Sequence, residues 1–397
     1  MLLNLVGMNR FVIVICLLLV VFNTQAQYPR LSGQAEVSII IVGPGPNLYD
    51  SFGHGAIRIK DSYLSIDRAY NYGTFDSFQN GFYVKFTQGK LDYRLAVQDF
   101  KRFLGNYQAQ NRWVTEQVLN LTQTEKQDVF EFLENNGIPE NSYYLYDFFY
   151  DNCATKLREV VSNTLGDKIT FNENHLTEPK TFRDLIQENT YNFPWWDFGI
   201  DIALGAVIDV NATASEHMFL PDYILKAYDN ATINRNGEQV PAIKTTNLLF
   251  ESDYYETKRD SLSPWMVFSF LAIIMVVFTF KDTIQNTRAR YLDFTVLFST
   301  GLVGVVVALL WFATDHTATA KNLNLLWAFA PNIVVAFFII KKKVPAWVRV
   351  YIRFLFILLI GMTFVWVFQI EVFSIAILPI MLLLGVRYAF LWVKGLA

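Results

Sequence analysis

Five long apolar stretches near the carboxyl end place the strongest limit on what this chain can fold into. They cover residues 263–280, 292–313, 323–340, 350–368 and 372–393. Each approaches or exceeds the ~18–20 residues that an α-helix needs to cross the hydrocarbon core of a bilayer. We therefore expect an all-α membrane domain of five transmembrane helices over residues 263–397.

Charge is divided unevenly between this region and the rest of the chain. Residues 28–262 hold 21 Lys and Arg against 32 Asp and Glu, whereas residues 263–397 hold 11 against 4. The basic residues of the second part concentrate in connectors 281–290 and 341–349, which indicates that these connectors are cytoplasmic. Five spans then end in the cytoplasm. Since the preceding part is acidic, we expect no nucleic-acid partner.

The amino-terminal 26 residues are typical of a secretory signal peptide. Arg10 is the positive flank, residues 11–22 are an apolar run, and residues 24–26 resemble a cleavage site. Residues 27–262 should therefore be an exported domain. Cys16 lies within the apolar run and would be removed with it, which leaves Cys153 as the one cysteine of the mature chain. Without a disulfide partner, Cys153 is either an inert buried thiol or a reactive one.

The exported domain shows strand patterns first and helix patterns later. Apolar and β-branched runs predict strands at 35–42, 54–60, 66–72, 91–97 and 112–121. A capping box at Thr122 and Glu125 predicts a helix over 123–136, and further helices are expected at about 154–165 and 180–187. This order indicates an α+β fold.

Cys153 is predicted to lie in the first turn of a helix. Asp151 and Asn152 precede it as candidate N-caps, and an apolar face follows. Free backbone N–H groups and the helix dipole favour a thiolate there, and the same groups would stabilise an oxyanion. Cys153 is therefore a candidate nucleophile. The alternative is a small core residue without chemistry.

His54 is the best candidate among four histidines for the base that a thiol nucleophile needs. It begins a predicted strand directly after a glycine, where its side chain could face a cleft. A tight turn at Ser62 and Tyr63 would place Asn71 opposite His54, where its amide would orient the imidazole. A register slip by two would substitute a neighbour, and Asp67 is the alternative to Asn71. The alternatives are a structural histidine and an asparagine that forms a turn.

The remaining residues that could bind a metal or take part in catalysis do not occur in a sequence pattern that supports such a role. His175 and His217 have no neighbouring ligands at metal-binding spacing, so we infer no metal site. Asp315 and His316 lie in a short polar loop between predicted spans. The pair Trp195 and Trp196 is expected to pack on the domain or to anchor it at the membrane interface.

Several motifs resemble one family when they are taken together and in order. They are GPGPNLYDSFGHGAIRI, YNYGTFD, FYVKFTQGKLDY, YYLYDFFYDNCATKLRE, IDIALG and MFLPDY. Their sequence is similar to that of the Lnb-type bacterial lipoprotein N-acyltransferases, over most of residues 33–225. The order of histidine and cysteine is also similar to that of permuted papain-like enzymes such as lecithin:retinol acyltransferase.

The resemblance implies a catalytic domain of permuted papain-like type on the periplasmic side of the inner membrane. It implies Cys153 as nucleophile and His54 as base, and it leaves the third residue open between Asn71 and Asp67. The implied acyl donor is a phospholipid and the implied acceptor is a diacylated lipoprotein, with no cofactor. A peptidoglycan amidase or peptidase, or a non-catalytic envelope binding module, would fit the same residues.

Overall fold

A computed structural model describes residues 28–75, 81–90, 92–253 and 262–395 of the chain. The predicted signal segment, residues 1–26 with Cys16, lies outside the described residues. The described chain has two parts. An α+β part runs from residue 28 to residue 253, and a helical part follows from residue 262.

Ten strands form two sheets in the first part. They are β1 (Glu36–Val42), β2 (His54–Asp61), β3 (Ile66–Thr74), β4 (Asp92–Asp99), β5 (Val114–Leu119), β6 (Tyr143–Leu145), β7 (Ile169–Thr170), β8 (Thr232–Arg235), β9 (Glu238–Pro241) and β10 (Ile243–Phe250). The main sheet is antiparallel throughout, in the order β10-β5-β1-β2-β3-β4-β6. Strands β7, β8 and β9 form a small second sheet.

Eight helices accompany these sheets. They are α1 (Phe82–Thr87), α2 (Phe100–Ala109), α3 (Gln123–Gly137), α4 (Cys153–Leu165), α5 (Phe182–Thr190), α6 (Pro194–Ala203), α7 (Ala214–His217) and α8 (Pro221–Asn230). Alternation along β1 separates two cores, since side chains of a strand point to opposite faces. Ile39 and Ile41 pack with α3, α4 and α8, whereas Ile40 and Val42 pack with α2 on the other face.

The predicted α+β class is confirmed, and the predicted elements recur close to their expected limits. The five expected strands correspond to β1 to β5, and each observed strand starts within two residues of its prediction. The three expected helices correspond to α3, α4 and α5. Helix α3 begins with the predicted capping box, in which the Thr122 hydroxyl accepts from the Glu125 N–H and the Glu125 carboxylate accepts from the Thr122 N–H.

Four helices of the second part are long and apolar enough to cross a membrane, among the described residues. They cover Pro264–Gln285, Arg290–Phe312, Ala346–Val367 and Ile377–Lys394. We number the helices of this part α9 (Pro264–Gln285), α10 (Arg290–Phe312), α11 (Asn332–Ile339), α12 (Ala346–Val367) and α13 (Ile377–Phe390).

The expected count of five transmembrane helices is not confirmed, because among the described residues the third apolar stretch does not form one continuous helix. Residues 323–340 form a 3₁₀ turn (Leu323–Leu326), an irregular link and the short helix α11. Pro331 explains the break, because it lacks an N–H and disfavours helical backbone at the residue before it. The stretch packs along α10 at close range. A Cβ on Gly304 would lie 1.9 Å from the Ala328 carbonyl oxygen, so only glycine allows this approach.

A polar junction joins the α+β part to the helical part. Arg183 of α5 donates to Asp201 at 2.8 Å and to Asp209 at 2.6 Å, and Asp209 accepts from the backbone N–H of Val372 at 3.0 Å. Asn322 donates across the same boundary to the carbonyls of Ile202 and Ala203. These bonds fix the position of the main sheet over the ends of the membrane helices.

Candidate active site at the membrane-facing end of the sheet

Cys153 is the first residue of α4, and Asn152 is the cap that sets this position. The Asn152 side-chain oxygen accepts from the backbone N–H groups of Ala154 and Thr155, at 2.8 and 2.9 Å. Its amide nitrogen donates to the carbonyls of Phe148 and Phe219. Of the two candidate N-caps, Asp151 and Asn152, it is therefore Asn152 that caps α4. The backbone N–H of Cys153 has no acceptor among the described residues and is the donor left in this turn.

Two glycines let the start of α4 approach the sheet. A Cβ on Gly55 would lie 2.5 Å from Cδ1 of Leu157, one turn into the helix. Gly73 has a φ of +83°, and a Cβ there would lie 3.3 Å from Cβ of Cys153. Glycine is favoured at such a φ and at such a close approach. The Cys153 thiol thereby reaches the end of β2, where His54 lies.

The structure brings together the three residues singled out from sequence. His54 Nε2 and Asn71 Oδ1 are 2.6 Å apart, and the imidazole hydrogen-bonds with the Cys153 thiol. Because Nε2 is occupied by Asn71, Nδ1 is the ring nitrogen that remains for the sulfur. Cys153 and His54 are half-buried, and Asn71 is buried.

The predicted strand register was wrong by two residues, although the predicted contact is present. Strands β2 and β3 pair Ile57 with Tyr70 and Asp61 with Ile66, whereas the predicted register would pair Ile57 with Arg68. The connection between them spans residues 62–65 and is longer than the expected tight turn at Ser62 and Tyr63. Asn71 reaches the imidazole diagonally across the pair. Asp67, the alternative third residue, is bound instead by Arg58, at 2.7 and 2.8 Å.

The electrostatics of the pair favour charge separation. Burial by itself raises the pKa of the Cys153 thiol, but the charge of His54, its hydrogen bond and the N–H groups of Gly55 and Ala154 lower it overall. Burial likewise lowers the pKa of His54, and the Cys153 charge and hydrogen bond, with help from Asn71, raise it overall. An opposite charge and a hydrogen bond to the charged form are the ordinary causes of such shifts. Both shifts favour a thiolate beside an imidazolium.

Tyr107 and Arg112 complete the site, and no sequence pattern indicated either. The Tyr107 ring lies 6.1 Å from the His54 ring, and the Arg112 guanidinium lies 5.0 Å from the centre of the Tyr107 ring. Arg112 is buried and donates to the Gly43 carbonyl at 2.8 Å. Its charge acts to lower the pKa of His54 against the effect of Cys153. Tyr107 lies in the last turn of α2, whose helical periodicity was the missed signal for it, and Arg112 lies three residues after that helix.

A cleft of about 450 Å³ adjoins the site on the α2 side of the sheet. The residues that line it are uncharged, and they are Asn71, Thr74, Ala96, Gln98, Asn106, Tyr107, Ala109 and Gln110. Asn71 therefore contacts both the imidazole and the cleft. A bound molecule in this cleft would lie next to the reactive pair.

The site end of the sheet faces the helical part of the chain. The backbone N–H of Asp315, in the loop after α10, donates to the Gln88 carbonyl at 2.8 Å. In the same loop Thr317 donates to the Asp147 carboxylate at 2.8 Å. Asp147 in turn exchanges backbone hydrogen bonds of 3.0 Å with Asp151, two residues before the thiol. These contacts connect the segment just before Cys153 to the loop that follows the membrane-spanning helix α10.

The remaining candidate residues lie away from this site. His175 and His217 bond to the backbone carbonyls of Asn172 and Thr213. Within the described ranges, no group of three His, Cys, Asp or Glu residues could hold a metal ion. His316 packs against Gly89, as part of the loop after α10. Trp195 packs on Phe268 of α9 and donates to the Leu262 carbonyl at 2.8 Å, so it contributes to the interface between the two parts.

These features define a membrane protein with a sheet-rich exported domain that carries a cysteine–histidine pair at its membrane-facing end. Comparison with family models gives the family. Residues 26–188 match the Lnb N-terminal periplasmic domain, and residues 256–395 match the Lnb transmembrane domain. The chain belongs to the Lnb family. No curated protein matches the chain, and neither does any solved structure.

Proposed function

We propose that this protein is a thiol-dependent lipoprotein N-acyltransferase. It would move a fatty acyl chain from a membrane phospholipid to the α-amine of a lipoprotein's N-terminal, diacylglyceryl-modified cysteine. The single observation that carries the proposal is the Cys153–His54–Asn71 constellation at the sheet end that faces the membrane helices. Membership of the Lnb family supports it independently.

In the first half-reaction the Cys153 thiolate attacks the carbonyl carbon of a phospholipid ester. A carbon–sulfur bond forms, and the carbonyl oxygen takes up the negative charge. The backbone N–H of Cys153 is placed to donate to this oxyanion, since it has no other acceptor among the described residues. The ester carbon–oxygen bond then breaks. The leaving lysophospholipid oxygen takes the proton from the His54 imidazolium, and a thioester remains on Cys153.

In the second half-reaction the lipoprotein amine attacks the thioester carbonyl carbon. A carbon–nitrogen bond forms and the carbon–sulfur bond breaks, which returns the thiolate. His54, now neutral, accepts the proton that the amine loses, so the imidazolium–thiolate pair is restored. Asn71 would hold the imidazole in one orientation through both steps, because Nε2 stays bound to its side-chain oxygen.

The location of the two substrates fits the location of the site. Both the donor and the acceptor are anchored in the bilayer, and the site lies beside the loop that follows α10. We propose that residues 1–26 are a signal peptide, that residues 27–262 are periplasmic and of permuted papain-like type, and that residues 263–397 form the inner-membrane domain. The basic connectors would be cytoplasmic, with the carboxyl terminus on the same side.

Mass spectrometry of lipoprotein N-termini tests the proposal. Cells that express the wild-type chain should contain N-acylated lipoproteins, and cells that express Cys153→Ala or His54→Ala should not. Asn163→Ala is the matched control, since Asn163 is exposed on the same helix α4. Lipoproteins that stay N-acylated with Cys153→Ala would overturn the proposal. Unchanged lipoproteins with altered wall fragments would instead indicate an amidase, and no change in either a binding module.

A further inference from the structure

An exposed apolar patch lies beside the active site, on the connection between β3 and β4 and on the neighbouring strand β6. We define this patch as Val84, Phe86 and Leu145, whose exposed fractions are 59%, 48% and 58%. Val84 and Phe86 belong to α1. Lys85, between them, bonds to Asp92 at 2.8 Å, and Asp92 pairs with Leu145 across β4 and β6. Val84 and Phe86 thus flank Lys85 on opposite sides of α1, since residues two apart on a helix do not share a face. Leu145 lies opposite Asp92 in the adjoining strand, so the three residues are grouped about one ion pair.

The patch is tied to the end of a membrane-spanning helix. Helix α10 ends at Phe312, and three residues later Asp315 bonds to the Gln88 carbonyl just after α1. Gly89 then lies so close to this loop that a Cβ there would be 2.8 Å from the His316 nitrogen. Helix α1 therefore lies beside the end of α10. Phe312 itself is 71% exposed.

We propose that the patch of Val84, Phe86 and Leu145 is inserted in the outer leaflet of the inner membrane, at the boundary between head groups and acyl chains. Exposed apolar side chains grouped at a membrane surface are typical of interfacial anchoring. The two lysines nearby, Lys85 and Lys90, are paired with Asp92 and Asp315, at 2.8 and 3.8 Å. Burial of apolar side chains, rather than attraction of lysine to anionic lipid, is therefore the force that holds the patch in place.

Insertion at this point would connect the bilayer directly to the reactive pair. Strand β3 runs from the site residues Asn71 and Gly73 to its end at Thr74, on the way to α1. On the other side, Leu145 is followed by Asp147, which bonds to Asp151 next to the Asn152 cap. In this respect the inference rests on the proposed function, since a lipid drawn in along the patch would arrive at Cys153 as the acyl donor.

The depth of the patch can be measured without any catalysis. Full-length protein with Cys16 and Cys153 replaced by serine would carry one new cysteine, Val84→Cys, Phe86→Cys or Leu145→Cys. Each would be labelled with the fluorophore NBD and reconstituted in phosphatidylethanolamine–phosphatidylglycerol vesicles. Tyr63→Cys is the matched control, because Tyr63 is 80% exposed at the opposite end of β2 from His54.

We expect a spin-labelled lipid to quench the three patch labels about twofold or more strongly than the Tyr63 label, and aqueous iodide to do the reverse. High salt should leave this difference unchanged. Labels that iodide quenches as strongly as the Tyr63 label would overturn the inference. So would labels that neither agent quenches, since these would indicate a protein partner on the patch.

A second measurement links the patch to the reaction. Val84→Asp combined with Phe86→Asp should reduce lipoprotein acylation in membranes several-fold, whereas Tyr63→Asp should not. Alkylation of Cys153 by iodoacetamide should be equal in both, which shows that the site itself is intact. If the labels lie in lipid but no variant or wild-type chain acylates lipoproteins, the proposed function fails and the patch stands. If acylation is normal and the labels lie in water, the patch alone fails.

Discussion

At the scale of single residues, two forces act in opposite directions on Cys153 and His54. Burial disfavours the charged form of each group, while each charge favours the other. Two unit charges about 4 Å apart attract by roughly 4 kcal/mol at an effective dielectric constant near 20. The hydrogen bond to Asn71 and the N–H groups of Gly55 and Ala154 add to this attraction. The net direction of both pKa shifts favours the ion pair, in which the thiolate would be the nucleophile of the proposed reaction.

The lowered pKa of Cys153 predicts how its reactivity depends on pH. A thiolate alkylates and a thiol does not, so the rate with iodoacetamide should stay high as the pH is reduced below ~8. It should fall only when the pH passes the lowered pKa of the thiol. In His54→Ala the attraction is lost while burial remains, so the midpoint should shift to higher pH. Mass spectrometry of Cys153 alkylation over time gives both curves.

Two controls make this test specific. Asn163→Ala, on the exposed face of α4, should have the wild-type midpoint. Alkylation of a peptide that spans residues 145–161 gives the curve of an unperturbed cysteine. Equal midpoints for the folded protein, the His54→Ala variant and the peptide would contradict an ion pair between Cys153 and His54.

At the scale of secondary-structure elements, the sequence predicted strands correctly where their side chains are buried in a core. Strand β1 could be predicted from its sequence, because its residues from Val37 to Val42 are buried and, except for Ser38, β-branched. Strand β10 escaped prediction, because five of its eight residues are exposed at the edge of the sheet and the strand carries no apolar alternation. An edge strand is defined by the neighbour it pairs with, here β5, and that pairing is not a local property.

The candidate site was predictable where local signals carry the chemistry. The Asn152 cap and the helix that follows located Cys153, and the glycine before β2 drew attention to His54. The contact with Asn71 was foreseen through a register that was two residues in error. Turn length sets such a register, and residues 62–65 gave no unique turn type. Arg112 was not foreseen because its role depends on the distant carbonyl of Gly43.

Replacement of Gly73, where β3 approaches α4, should affect both stability and activity. A side chain there meets an unfavourable φ and also contacts Cys153, whereas Gly237 has a similar φ of +97° with nothing within 4 Å. Both Gly73→Ala and Gly237→Ala should lose about 1–2 kcal/mol of stability from backbone strain. Only Gly73→Ala should also lose acyl transfer, by about 10-fold or more, because the thiol is displaced from His54.

Thermal unfolding in detergent and lipoprotein acylation by purified protein, measured on the same samples, separate the two effects. Equal loss of acylation in both variants would mean that stability alone is responsible. Unchanged acylation in Gly73→Ala would show that the close approach of β3 to α4 is not needed for the reaction.

At the scale of the whole molecule, the site is useful only if the sheet keeps its position over the membrane helices. Besides Arg183 and its two aspartates, the junction contains Glu371, which is completely buried in the loop between α12 and α13. Glu371 accepts from the Leu323 N–H at 2.6 Å and from the Asn324 amide at 3.4 Å. Burying an ionised group costs free energy unless the group is paired, and Arg183 of this junction is already shared by Asp201 and Asp209.

Burial accordingly raises the pKa of Glu371 to about 8, with the negative charges of Asp209 and Asp201 acting in the same direction and Arg183 against it. At neutral pH the folded side chain therefore holds a proton, while in the unfolded chain a glutamate loses it near pH ~4.3. Between these two values the folded state binds more protons than the unfolded state. The free energy of unfolding must then fall as the pH rises through this interval, with the full loss reached above about 8.

Glu371→Gln removes this dependence, because glutamine resembles the protonated acid in shape and does not titrate. Near pH ~5 the two proteins should melt at similar temperatures, since both carry a neutral side chain at this position. As the pH rises toward about 8.5, the wild-type chain should lose melting temperature relative to the variant. Glu140→Gln, at an exposed position on the main domain, should follow the wild-type curve. Parallel curves for wild type and Glu371→Gln would mean that the junction holds an ionised glutamate, and that its carboxylate contributes to the attachment of the two parts.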